Sequence, residues 1–174
     1  MKLNDKELID KAYQLGFDYQ KSYIGCCQCT IAAIQDTLDI KDDSVFKAGT
    51  GFAGGVGVTA IGLCGGYSGG VMVLSQLLGR ERSNFEDPEG IRFKTLELTR
   101  KFMERYLKEF GSIICRDIHT LIFGRPYYMA DPDDFEKLKA AGAIEQKCPD
   151  VVGRATKLAV ELVLEEGLVK PPKE

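Results

Sequence analysis

An all-α fold, a compact multi-helix bundle around a glycine-rich central helix, is predicted by three observations. Apolar residues recur at helical spacing through most of the chain, and nothing longer than a few residues alternates with period two. Capping and stopping residues flank those runs. Residues 48–79 hold no charged side chain and eleven glycines, the composition of a segment that the rest of the chain covers. At 174 residues one domain, 1–174, is expected, with a core large enough to hold without staples. No internal repeat or interdomain linker interrupts it.

The elements follow in order. Asn4 or Asp5 caps a first helix whose stripe is Leu8, Ile9, Ala12, Tyr13 and Leu15, predicted to end near Gly16. A second run, Cys26 to Leu38, aligns Ile31, Ile34 and Leu38. Asp42 or Asp43 opens a short helix through Phe46 that stops at the glycines. Pro88 suits a first helical turn, and a long amphipathic helix from Ile91 to Phe110 ends at Gly111. Cys115 to Phe123 is closed by Gly124 and Pro126, and Asp131 with Pro132 caps a helix from Asp133 to Ala141. The last helix, Pro149 to Glu166, carries Val151, Val152, Ala155, Leu158, Ala159, Leu162 and Val163 at helical spacing. The tail Pro171 to Glu174 is expected to fray.

In the glycine-rich centre, Gly62, Gly66 and Gly70 repeat every fourth residue, with Gly65 and Gly69 beside them. Each glycine in a helix costs about 1 kcal/mol relative to alanine. Five of them predict close approach by a partner helix, a second subunit or a bulky cofactor, and make a homodimer a candidate assembly. The segment is long enough for a membrane span. Thr50, Thr59, Tyr67, Ser68, Ser75 and Gln76 interrupt it, however, and a loop and helix buried in the bundle is expected instead. Gly49 to Gly54 spells GxGxxG, but no apolar strand precedes it and no acidic residue follows about twenty positions on, so no dinucleotide site is expected.

A net charge of −3, with Lys and Arg dispersed, leaves no electrostatic footprint for nucleic acid. No apolar stretch follows Met1, so a cleaved secretion signal is not expected and a reducing cytoplasm is. In such a compartment, thiols with a role bind metal or do catalysis. A free cysteine also serves as a small core residue, the alternative use for each one taken alone.

Four of the six cysteines, Cys26, Cys64, Cys115 and Cys148, stand at or near the predicted starts of four different helices. Their separations of 38, 51 and 33 residues are too long for a metal-finger loop, so a shared centre has to be gathered by the whole fold. Cys26 and Cys29 form a C-x-x-C at a helix start, where exposed N–H groups are expected to lower thiol pKa values, suiting a dithiol or metal ligation. No convincing strand precedes it, against thioredoxin, and Thr30 replaces the histidine that a c-type haem needs. Four thiolates satisfy zinc or an iron–sulfur cluster alike. Structural zinc takes close C-x-x-C pairs, whereas ligands from four helix ends suit a larger cluster in a glycine-lined cavity. His119, one turn after Cys115, could face the same site; a surface or capping position is the plainer expectation.

These residues resemble the redox-active family described by the pattern C_GCAxxG_C_C. Cys26, with Gln28 two positions on, matches its first cysteine, and Cys64-Gly65-Gly66-Tyr67-Ser68-Gly69 matches CGAxxG with Gly66 in place of Ala. Val71 to Gly79 is similar to the stretch that follows, and Cys115 and Cys148 stand for the third and fourth cysteines. Leu63 replaces the glycine before Cys64, and Cys27 and Cys29 are additional. A similar four-cysteine helical domain occurs in split-Soret cytochromes, where the resemblance implies an iron–sulfur cluster; their haem-binding part has no counterpart here.

Together these readings predict a redox protein with an iron–sulfur cluster, [2Fe-2S] or [4Fe-4S], on Cys26, Cys64, Cys115 and Cys148, exchanging electrons with a partner protein. Gly62, Gly65, Gly66 and Gly69 are expected to bring backbone N–H groups near its sulfurs. The alternatives are a thiol–disulfide oxidoreductase using Cys26 and Cys29, with Cys64 or Cys115 as resolving thiol, and a zinc-stabilised structural protein.

Overall fold

The computed structural model describes residues 4–169. Their α-helices are α1 (Asp5–Tyr23), α2 (Cys26–Leu38), α3 (Asp43–Ala48), α4 (Gly65–Leu78), α5 (Ile91–Phe110), α6 (Cys115–Phe123), α7 (Pro132–Ala140) and α8 (Cys148–Glu165). Short 3-10 turns cover Gly49–Phe52 and Arg82–Asn84, and a π turn covers Ala143–Lys147. Among the described residues there is no strand, only an isolated antiparallel bridge between Leu63 and Ile114. The fold is all-α. No described helix is long and apolar enough to cross a membrane.

Local chemistry starts the helices as expected. Asn4 accepts from the Glu7 N–H while Glu7 accepts from the Asn4 N–H, a reciprocal capping box. Asp42 accepts from the N–H groups of Ser44 and Val45, and Asp131 from that of Asp134. One boundary differs by more than fraying, and two helix starts differ in local detail. Helix α1 runs through Gly16 to Tyr23, because Gly16 is where α1 crosses α8: a Cβ there would lie 3.0 Å from the Cα of Gly153. Pro88 lies before α5 rather than in its first turn, and the buried Asp87 caps that helix through the N–H groups of Ile91 (2.7 Å) and Arg92 (3.0 Å). A π turn precedes α8, which therefore begins at Cys148 itself. The tail from Pro171 lies outside the described residues.

Helix α4 is the hub, packed against α2, α5 and α8. Its glycines divide by face. A Cβ at Gly69 would meet the Cys27 carbonyl oxygen at 2.6 Å, and one at Gly65 would overlap the Cys26 sulfur, so these two let α2 approach. A Cβ at Gly66 would meet Ala155 of α8 at 2.9 Å, and one at Gly70 the Phe102 ring of α5 at 2.5 Å. Gly62 lies outside the helix and breaks the four-residue series. The bare face that suggested a second subunit is covered by the chain's own α2, α5 and α8. Around this hub Ile31, Ile34, Leu74, Phe102, Tyr106, Val160 and Leu162 are fully buried in one core. A smaller cluster of Tyr127, Leu138 and Ala143 joins α7 to the π turn.

Between the Gly49–Phe52 turn and α4 the backbone turns left-handed for five successive residues, Gly54 to Val58, with φ between 56° and 65°. Wide-looped hydrogen bonds hold it: Gly57 N–H to Gly51 O (2.8 Å), Ala60 N–H to Gly54 O (2.9 Å) and Gly62 N–H to Gly55 O (3.1 Å). Left-handed backbone costs a residue with a Cβ about 1–2 kcal/mol, and Val56, Val58 and Ala60 all adopt it. Val56 is 44% exposed and has little burial to lose. Val56→Gly is therefore expected to raise thermal stability by about 1 kcal/mol, read as a higher melting temperature against wild type; an unchanged or lower value would contradict the strain.

A four-cysteine cavity as candidate redox centre

Each of the four dispersed cysteines opens a helix. Cys26, Cys115 and Cys148 are the first residues of α2, α6 and α8, and Cys64 is the residue immediately before α4. All four line one cavity of 380 Å³, whose other walls are mostly apolar: Ile24, Val58, Ile118, Ile122, Met129 and Phe135 among them. Gathering residues so far apart in sequence takes specific backbone contacts. Cys64 N–H donates to Ile113 O (2.8 Å), Cys115 N–H to Gly62 O (3.0 Å) and Arg116 N–H to Ala60 O (2.8 Å), so the Leu63–Ile114 bridge clamps the starts of α4 and α6 side by side. Ile24 (φ 54°) and Gly25 (φ 118°) turn the chain sharply out of α1 and set Cys26 against the N-terminus of α4.

The thiols are free and largely withdrawn from water. Burial pushes Cys26 up to about 11, with the neighbouring Cys64 adding to the shift, and it raises Cys64, Cys115 and Cys148 too. The same thiolates repel one another, Cys26 and Cys64 acting on both Cys115 and Cys148. A cavity that disfavours four anions by desolvation and mutual repulsion suits a cationic centre, whose charge removes both penalties. Lowered thiol pKa values were expected from the helix start. The opposite holds because desolvation outweighs the backbone N–H groups, and Cys29, pushed up to about 12, shows the same.

Those N–H groups are nevertheless aimed at sulfur. The Gly54 N–H lies 3.3 Å from Cys26 Sγ, the Gly65 N–H also faces Cys26, and the Gly66 and Tyr67 N–H groups face Cys64. Of the four glycines expected near the centre, Gly65 and Gly66 thus reach a sulfur. Gly62 instead anchors Cys115 through its carbonyl, and Gly69 admits the backbone of α2. Gly54, the last letter of the GxGxxG, is a further donor that lies outside the glycines expected at the centre.

The two additional cysteines do not join the cavity. Cys27 is fully buried in the main core, its sulfur 3.9 Å from that of Met72. Cys29 lines a separate groove with Tyr19, Tyr23, Gln28 and Phe46. His119 does join, against the expectation of a surface position: it is buried, its Nε2 lies 3.7 Å from Cys115 Sγ, and burial lowers it to about 4. Phe123 and Tyr127 pack edge-on to its ring, and its Nδ1 has no hydrogen-bond partner. Gln20, another buried residue of the lining, has an unpartnered Oε1. The Tyr106 hydroxyl is buried beside Cys64. Among the described residues no group of three or more His, Cys, Asp or Glu side chains is set closely enough to hold a single metal ion.

No curated protein and no solved structure matches the chain, so the likeness to split-Soret cytochromes rests on the cysteine pattern alone. A model of the family described as "Putative redox-active protein (C_GCAxxG_C_C)" matches residues 24–162. That span covers most of the chain, includes all four cavity cysteines and begins two residues before the first of them; the chain belongs to this redox-active family.

Proposed function

We propose that the cavity holds an iron–sulfur cluster on Cys26, Cys64, Cys115 and Cys148, and that the protein carries electrons to or from a partner protein. One observation carries the reading: four thiols from four helix starts face a single, mainly apolar cavity. The donor set fits. Thiolates are the ligands of such clusters, the N–H groups of Gly54, Gly65 and Gly66 face two of the four sulfurs, and the apolar walls limit water. Ligands drawn from four separate helix starts favour a polynuclear centre over zinc, whose structural sites take close C-x-x-C pairs. When bound, the cluster supplies reversible one-electron chemistry.

The chain's residues do the rest. Helices α2, α4, α6 and α8 fix the four sulfurs, the left-handed segment brings the Gly54 N–H to Cys26, and hydrogen bonds to sulfur favour the more negative, reduced state. A dithiol built on Cys26 and Cys29 is less well supported, since the two thiols open into different pockets and neither is activated. Protein purified without oxygen is expected to be brown, with iron and acid-labile sulfide in comparable amounts. Colourless protein that stays so after reconstitution and carries stoichiometric zinc would refute the reading.

A further inference from the structure

A strained, non-helical strap closes part of the cysteine cavity. Ala53, Gly54 and Val58 line the cavity, and Val58 is also 40% exposed, so there a single side chain stands between the cavity and water. The strap is anchored at both ends. Gly49 is buried where a Cβ would lie 2.6 Å from Ile31 Cδ1, and the Ala60 and Gly62 carbonyls accept from the N–H groups of Arg116 (2.8 Å) and Cys115 (3.0 Å). Between the anchors it is held lightly. Among the described residues, the hydrogen bonds of residues 54–59 close within residues 51–62, except that the Gly54 N–H donates to Cys26 Sγ (3.3 Å). No residue from 53 to 58 belongs to either hydrophobic core cluster.

We propose that residues 53–58 form a lid, which swings away from Cys26 and Cys115 to admit the occupant of the cavity and then closes over it. The proposal rests on the cavity being the functional site, and not on which centre fills it. Strain favours opening: Val56 and Val58 hold left-handed φ values of 63° and 59°, a conformation that a β-branched residue leaves readily once its surroundings release it. Few buried apolar contacts and a self-contained set of hydrogen bonds are the marks of a segment that opens without unfolding the rest. The helical walls are different, because Ile118, Leu138 and Val151 tie α6, α7 and α8 into the core. The lid touches two of the four cysteines directly. Besides the Gly54 N–H on Cys26, Gly55 lies so close to α6 that a Cβ there would stand 2.5 Å from the Cys115 Cβ. A Cβ at Gly51 or Gly57 would meet nothing within 4 Å, which leaves the strap room to move.

Hydrogen exchange on metal-free protein reads the opening. The amides of Gly57, Val58 and Ala60, which donate to Gly51, Ala53 and Gly54, are expected to exchange together and at least about tenfold faster than the core amides of α4. Alkylation by iodoacetamide, mapped cysteine by cysteine, reads what the opening exposes. Val56→Gly relieves strain in the closed strap, so it should slow strap exchange and the alkylation of Cys26 and Cys115 by one common factor, about fivefold. Cys29, in its separate groove, should keep its wild-type rate. Gly54→Ala, whose Cβ would lie 2.9 Å from the Val58 Cα, should speed both processes; if that variant does not fold, Val56→Gly decides alone. Strap amides that exchange no faster than those of α4 overturn the proposal. So does alkylation of Cys26 and Cys115 that Val56→Gly leaves unchanged, because entry then lies elsewhere. Both readouts use metal-free protein, so a chain that never takes a cluster leaves them standing, and a strap that stays shut leaves the iron–sulfur reading intact.

Discussion

Serine in place of Cys26, Cys64, Cys115 or Cys148 is expected to bleach the protein, each alone removing most of its iron and sulfide, while serine at Cys27 or Cys29 leaves the colour in place. The division follows from where the side chains lie. The first four line the cavity and open α2, α4, α6 and α8. A serine hydroxyl is a hard, weakly acidic ligand where the proposed cluster takes thiolate. Cys27 lies in the core against Met72, so its replacement buries a hydroxyl and lowers stability without touching the site. Cys29 discriminates best. As the second half of a C-x-x-C it was a rival to Cys26, yet it faces a groove lined by Tyr19 and Phe46. Loss of the visible spectrum in Cys29→Ser, with retention in Cys26→Ser, would move the first ligand by one helical turn.

Much of this was legible because it is local. Helix periodicity and the caps Asn4, Asp42 and Asp131 depend on residues within one or two turns, and the starts of α2 and α6 fall where the spacing puts them. Gly16 departs from its sequence expectation for a physical reason: glycine ends a helix when it adopts positive φ and permits close packing when it does not, and the partner that decides, Gly153, lies 137 residues away. The π turn before α8 has no propensity signature, and in the left-handed run from Gly54 to Val58 the three glycines favour positive φ while Val56 and Val58 do not. At the site, the four cysteines could be nominated from their positions. That Cys29 turns away and that His119 is buried depend on how α2 and α6 are rotated, which only packing fixes.

Gly65 is the position where fold and site are least separable, and Gly65→Ala is expected to damage both. The added methyl would occupy the place of the Cys26 sulfur and stand 2.7 Å from the Cys27 backbone nitrogen. The second contact is the decisive one, because a sulfur can rotate aside but the first turn of α2 cannot move without disturbing its packing on α1, α4 and α8. Overpacking of this kind costs about 1–3 kcal/mol, against which alanine's better helix propensity returns under about 1 kcal/mol. Relaxation in either direction, with Cys26 swung out of the cavity or α2 lifted off α4, removes a ligand. Gly51→Ala is the control: a Cβ there meets nothing within 4 Å, and its backbone is not left-handed. Melting temperature and iron content, measured together, should both fall in Gly65→Ala and hold in Gly51→Ala. A Gly65→Ala protein matching wild type in both would mean that Cys26 and α2 are not held against α4 at this point, and that the sulfur assigned to the first ligand is free to lie elsewhere.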